Sequence, residues 1–332
     1  ENLEQRRSIL YNEIVDPLRQ LIEGTGWDAE LDDFEQTALS PKKPQPRPVT
    51  RATVVDIPVQ AALKSDPWLE EIALLGRTLR QERRKSSVNG SLLKMAILDT
   101  GYDENAPVFN TPGRSGRIKA WKDLVFNSPR PVDTDGHGTN LLTLLLQLEC
   151  PASVYVARVA ESSRILQSAA GAIAEAIRTA ATEWDVDFIS LHIQAIREAI
   201  ADAVHIKRGA ITFFAAANND GFNSREMFPA NMGESVISVR GTNRNGGFES
   251  KYNPPTSSDE AVFGTLGVDV VSDWPGSDIG RAMSGCSVAT PIAVTIAAML
   301  LEYAAARPRD FDLDDLRLMR TRRGVFEMFK GM

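Results

Sequence analysis

The sequence is poor in the residues that most often announce chemistry. It has two cysteines, Cys150 and Cys286, and three histidines, His137, His192 and His205, in 332 residues. Two cysteines in no metal-ligand spacing exclude a disulfide-stapled scaffold and a cysteine-built zinc site. Any imidazole chemistry must come from one of three positions. Positive charge is not in excess, because 37 Lys and Arg stand against 44 Asp and Glu for a formal charge of −7. A nucleic-acid partner is therefore not expected. Local basic runs such as Arg83, Arg84, Lys85 and Arg320, Arg322, Arg323 read as solvated faces or helix ends. No signal-peptide pattern opens the sequence, and the expectation is a cytoplasmic protein. Long uncharged apolar stretches are missing except for the one that follows Ser287, which reads as a core helix, so no membrane partner is expected.

What is present is ordinary globular composition, 43% hydrophobic and 24% charged, enough for one large domain or two smaller ones. Residues 1–90 differ from the rest. Leu10, Ile14, Leu18, Leu21 and Ile22 recur at helical spacing, and residues 41–48 form a proline-rich linker. A second amphipathic helix carries Trp68, Leu69, Ile72, Leu75 and Leu79 on one side. The polar run 81–90 then marks the boundary of the main domain, 91–332. The N-terminal helices are expected to pack on that domain or to connect it to other modules or protein partners.

Beyond residue 91 short apolar runs at 92–98, 153–159, 186–191, 210–217 and 235–239 alternate with helical patterns at 140–148, 166–184 and 194–206. Continuous apolar runs of this length suit strands buried on both faces. The alternation predicts an α/β fold with a mostly parallel central sheet, helices on both faces, and reactive groups at the carboxyl ends of the strands.

Four stretches could carry chemistry there. Asp99 ends the first strand before Gly101, as a turn aspartate or a reactive carboxylate. His137 lies between Gly136 and Gly138 at a helix start, where glycines let other groups approach the ring. An apolar strand stops at Asn218 and Asn219, which could shape a turn or aim an amide at a developing oxyanion. Ser287 opens the apolar helix that runs on through 292–301, as an N-cap or as a nucleophile near unpaired backbone N–H groups. Pro291 is expected in that helix's first turn, where its missing N–H costs nothing.

Taken together, Asp99-Thr100-Gly101, His137-Gly138-Thr139, Ala216-Ala217-Asn218-Asn219 and Gly285 to Pro291 resemble, in order, the motifs of the subtilisin-like serine proteases, the subtilase family. The segment Phe228-Pro229-Ala230 and the strand after it fit as well. The resemblance implies a subtilisin-like domain acting as a serine endopeptidase on peptide or protein substrates. It implies Ser287 as nucleophile, His137 as base, Asp99 as its orienting carboxylate and Asn219 as oxyanion donor. The chemistry requires no cofactor and no metal; structural calcium is possible in such proteins but not indicated by any acidic loop. Ser190, Leu191 and His192 align with the segment that lines the substrate cleft, and here it is clipped short before the next helix.

Three departures bear on activity. Cys286 replaces a threonine, which predicts weaker support of the oxyanion by a poorer donor. Asn218 replaces a glycine, which suits a left-handed backbone. The clipped segment after Ser190 leaves a second reading open, an inactive or weak subtilase-fold module that serves in protein interaction or regulation.

Overall fold

The computed structural model describes residues 53–55, 66–85, 93–166, 169–191, 197–221, 225–255, 262–307 and 309–330. The pattern from Leu10 to Ile22, the 41–48 linker, His192 and residues 194–196 lie outside the described residues.

Seven strands make the main sheet: β2 (Lys94–Asp99), β3 (Ile118–Asp123), β4 (Ser153–Arg158), β5 (Phe188–Leu191), β6 (Thr212–Ala216), β7 (Val236–Thr242) and β8 (Phe263–Leu266). Their order is β3-β4-β2-β5-β6-β7-β8, and every pairing is parallel. The chain starts in the middle at β2, fills one side with β3 and β4, then crosses to β5 on the other. The crevice where the direction of winding reverses lies at the carboxyl end of β2.

Strand periodicity explains why β2 reads as an unbroken apolar run. Met95 and Ile97 point into a core shared with α2 (His137–Gln147) and α5 (Cys286–Ala305). Ala96 and Leu98 point the other way, toward α3 (Ala170–Thr182) and α4 (Arg197–Ile206). Because successive side chains alternate and both faces are covered, neither set can be polar.

Helix α5 is the spine of the first core. It buries 18 of its 20 residues, as an all-round apolar helix must in a globular protein. It is also the one helix among the described residues long and apolar enough to cross a membrane, and its burial against the sheet accounts for that composition. The helix begins at Cys286, so Pro291 sits in the second turn rather than the first. There the ring removes the bond that would otherwise run to the Ser287 carbonyl.

Before the main sheet comes α1 (Pro67–Lys85), which packs on α5 and against the residues just past the end of α2. Leu69, Ile72 and Leu79 enter the common core, with Trp68 and Leu75 partly buried beside them. Gly76 is the contact point, since a Cβ there would lie 2.4 Å from the Leu148 carbonyl oxygen. Beyond it Arg80 donates to Glu149, just past the end of α2, at 2.7 Å, and Arg83 pairs with Glu302 on α5.

A second, three-stranded antiparallel sheet, which no sequence pattern announces, lies apart from the main one in the strand order. In it β1 (Thr53–Val55) pairs with β10 (Ser277–Ser284), which forms a hairpin with β9 (Val270–Trp274). Helices α6 (Leu313–Met319) and α7 (Arg322–Lys330) close the chain. Asp312 caps α6 through a reciprocal box with Asp315, and Phe326 and Phe329 of α7 pack on Phe263 of β8.

Candidate active site

Asp99 is delivered by the last position of β2 and is buried. Its Oδ1 accepts from the Thr100 N–H at 2.8 Å and lies 2.7 Å from His137 Nδ1. This pairing places the proton of the neutral ring on Nδ1 and leaves Nε2 as the acceptor. The chain can turn under the ring only through glycine. At Gly101 φ is +107°, and a Cβ would lie 2.0 Å from the Val132 carbonyl oxygen.

His137 is the first residue of α2, and Gly136 before it offers no side-chain cap. Asp133 fills that role from further back. Its Oδ1 accepts from the N–H groups of Asp135 and Gly136 at 3.0 and 2.9 Å, and its Oδ2 from the N–H and Oγ1 of Thr139 at 2.8 and 2.6 Å. One buried carboxylate therefore satisfies the open end of the helix that carries the imidazole. Thr100 Oγ1 accepts from the Gly138 N–H at 2.9 Å and stitches the aspartate and histidine loops together.

Burial works against a charged imidazole at His137. The adjacent Asp99 carboxylate, its hydrogen bond, and Asp135 and Asp133 further off outweigh that cost, and the pKa lies above the ordinary histidine value.

Ser287 is the second residue of α5 and is buried, and its Oγ has no hydrogen-bond partner among the described residues. Two features shape the elbow before it. Gly285 has φ +149°, and a Cβ there would stand 2.8 Å from Asn219 Oδ1. Asn219 Oδ1 in turn accepts the Cys286 N–H at 2.6 Å. With the oxygen of this amide so engaged, Nδ2 is its remaining donor.

Asn218 is turned elsewhere. Its Oδ1 accepts from the Asp220 N–H and its Nδ2 donates to the Arg225 carbonyl, both at 2.8 Å. The ambiguity between the two asparagines is thus resolved by geometry, with Asn219 beside the serine and Asn218 in the turn. The left-handed backbone suggested for Asn218 is not adopted, because no positive φ occurs there.

The Cys286 thiol also points away from Ser287, into the interior. It donates to Asn253 Oδ1 at 3.3 Å, with the Tyr252 carbonyl at 3.6 Å, and burial pushes its pKa up. The thiol proton is thus engaged inside the protein, and what this residue does beside Ser287 runs through its backbone N–H and its anchoring, with no free side-chain donor. Ser190 and Leu191, expected to line the substrate cleft, have their side chains inside the sheet, which leaves their main chain for such a contact. They lie in β5, a central strand paired on both sides, and are 2% and 0% exposed. Their side chains belong to the core and present no surface to a cleft, and His192 is outside the described residues.

Other residues at the site were not singled out from sequence. Thr100 and Thr139 stand inside the aspartate and histidine motifs, and Asp133, an aspartate shortly before a helix start, carries a capping signal. Trp274 packs its indole over Gly136, where a Cβ would meet the ring at 2.5 Å, and Arg281 stacks on that indole at 4.7 Å. No local pattern marks Trp274, because β9 is far from Gly136 in sequence. Among the described residues, no group of three or more His, Cys, Asp or Glu side chains is placed to hold a metal ion.

Against known proteins, the sequence pattern of the subtilase family matches residues 90–318. The chain is 26% identical over 266 residues to the subtilisin-like protease het-Q2 of Podospora anserina, covering 67% of this chain and 72% of that protein. It is 29% identical over 219 residues to the thermophilic serine proteinase of Bacillus sp. (strain AK1), covering 62% of this chain and 51% of that one. Among solved structures, the PatG macrocyclase domain superposes with a TM-score of 0.56 at 14% identity, covering 82% of this chain and all of that domain. The protease domain of PatA gives 0.54 at 21%, covering 74% and 98%. At such identities these structural likenesses speak for the fold.

Proposed function

The chain belongs to the subtilase family, and on that premise we propose that it is a serine endopeptidase working through Asp99, His137 and Ser287. The observation that carries the proposal is the 2.7 Å contact between His137 Nδ1 and Asp99 Oδ1, set at the same sheet edge as a serine elbow fastened by Asn219. In this reading Ser287 Oγ attacks the scissile carbonyl carbon while its proton passes to His137 Nε2. The new C–O bond gives a tetrahedral oxyanion held by Asn219 Nδ2 and the Ser287 N–H. Its collapse breaks the C–N bond, the amine leaves with the proton from His137, and the acyl-enzyme is then hydrolysed by water through the same base. Asp99 fixes the ring tautomer and stabilises the imidazolium.

This chemistry asks for no metal or organic cofactor, and calcium would serve structure alone. The substrate is a peptide or protein. Residues 1–90 supply the helix α1 to the catalytic domain and, further upstream, a route to other modules.

A second reading, a subtilase fold retained for interaction, is favoured by one observation. Ser287 Oγ is buried without a hydrogen bond to His137 or to any other described residue. Catalytic hydrogen bonds are often loose in the absence of substrate and tighten in its complex, which keeps the peptidase reading first. Labelling with a fluorophosphonate beside a Ser287→Ala control decides between them: serine-dependent labelling is expected, and its absence in folded protein rejects the peptidase.

A further inference from the structure

Asn253 is 1% exposed and uses every hydrogen-bonding group of its amide. Its Nδ2 donates to the Gly241 carbonyl at 2.7 Å and to the Glu249 carbonyl at 2.9 Å. Its Oδ1 accepts from the Gly241 N–H at 3.0 Å and from the Cys286 thiol at 3.3 Å. Only a carboxamide satisfies this set. A carboxylate would face two carbonyl oxygens with no proton to offer, and an apolar residue would remove the partner of both the N–H and the carbonyl of buried Gly241.

The residue it grips lies directly under the serine elbow. A Cβ on Gly241 would meet the carbonyl carbon and oxygen of Gly285 at 3.3 Å, and Gly285 in turn donates its N–H to Gly267 O at 2.7 Å. Cys286 is therefore held at two points, its N–H by Asn219 and its S–H by Asn253. Those two contacts fix both ends of the residue that precedes Ser287. They also explain a cysteine here. A thiol reaches an acceptor at 3.3 Å, whereas a hydroxyl on a shorter bond needs a closer one.

We infer that Asn253 is a positioning residue for the peptidase reaction, acting through Cys286 to hold the Ser287 N–H and Oγ in register with the Asn219 amide. The inference rests on the peptidase reading above. It assigns Cys286 a mechanical part with no redox or nucleophilic role. Asn253 touches neither substrate nor His137, so its influence falls on the rate of attack and not on binding or on the titration of the base.

The test measures fluorophosphonate labelling of Ser287 in the full chain, as a saturating rate constant and a half-saturating concentration across pH. It compares the unmodified chain, Cys286→Ala, Asn253→Ala and the double variant. Cys286→Ala keeps the Asn253 bonds to Gly241 and Glu249, so it removes the contact without loosening β7. The rate constant is expected to fall about 10-fold in each single variant, with half-saturation and the pH midpoint unchanged. The double variant should be no slower than Asn253→Ala, because both act along one path. A Cys286→Ala rate within twofold of the unmodified chain, or a double variant slower by the product of the two single effects, overturns the inference while leaving the peptidase intact. No Ser287-dependent labelling of the unmodified chain overturns the peptidase reading and the inference with it.

Discussion

Asn219 Oδ1 accepts the Cys286 N–H at 2.6 Å, so the amide just beyond β6 is fastened to the first residue of the serine helix. The contact orients the asparagine with its donor end outward, and the elbow and the amide form one unit. Replacing Asn219 with Ala is expected to lower kcat by about 10²–10³ with KM little changed. Asn218→Ala breaks only the turn contacts to Asp220 and Arg225 and should leave kcat far closer to that of the parent. Steady-state kinetics on a quenched peptide substrate compares the two, and equal losses would remove the distinction.

The acid limb of activity should lie above the ordinary histidine value of about 6.5, because the base must be neutral and His137 is shifted upward. Asp99→Asn removes the carboxylate that raises it, so the limb should move to lower pH while kcat drops by about 10⁴. The same shift has a sign for stability. A histidine whose folded pKa is raised contributes stability that is complete below its unfolded pKa and lost as pH rises through the folded value. The Asp99→Asn variant should therefore lose more thermal stability at pH 5 than at pH 9, as scanning calorimetry at the two pH values would read.

Arg83→Met tests the clamp made by α1. Burial raises the Glu302 pKa, while the Leu93 N–H and Arg83 pull it down without cancelling the shift. Removing Arg83 raises it further. Stability linked to a raised carboxyl is complete below its unfolded value of about 4.3 and lost as pH rises through the folded one. The variant's deficit should be small at pH 4, where Glu302 is protonated in both proteins, and approach roughly 3 kcal/mol at pH 8. Urea unfolding at both values measures it, and a deficit independent of pH would detach Arg83 from Glu302.

Gly136→Ala should cost both fold and activity. The backbone has φ +96° there, and the added methyl would stand 2.5 Å from the Trp274 ring. Strain at such an angle is of order 1–3 kcal/mol, before any movement of the indole. Trp274→Leu in the same chain should recover part of the lost melting temperature by relieving the clash, and none of the part due to φ. Full recovery would mean that the backbone angle carries no cost.

Much of this architecture is legible along the chain because it is local. Met95, Ala96, Ile97 and Leu98 announce a strand buried on both faces, and the structure divides them between two cores as their alternation requires. Asp99, His137 and Ser287 stand where short motifs put them, at a strand end and two helix starts. The β1-β10-β9 sheet is not legible in the same way. Its β1–β10 pairing spans more than two hundred residues, and β1 is three residues long, too short for any periodicity. For Ser190 and Leu191 the motif gives the place along the chain but not the burial of the side chains, which depends on the layers that cover β5 on both faces.

The sequence alone determined the alternation of strands and helices along the central part of the chain and the candidates Asp99, His137, Asn219 and Ser287, because helix starts, strand runs and glycine-flanked residues depend on neighbours a few positions away. Tertiary structure decided which asparagine faces the serine, where the Cys286 thiol points, and that Asn253, Trp274 and the arginines of α1 hold the site from outside it. Those are contacts between residues tens to hundreds of positions apart. They exist only once the two cores have closed around α5 and excluded the water that would otherwise satisfy the same donors and acceptors.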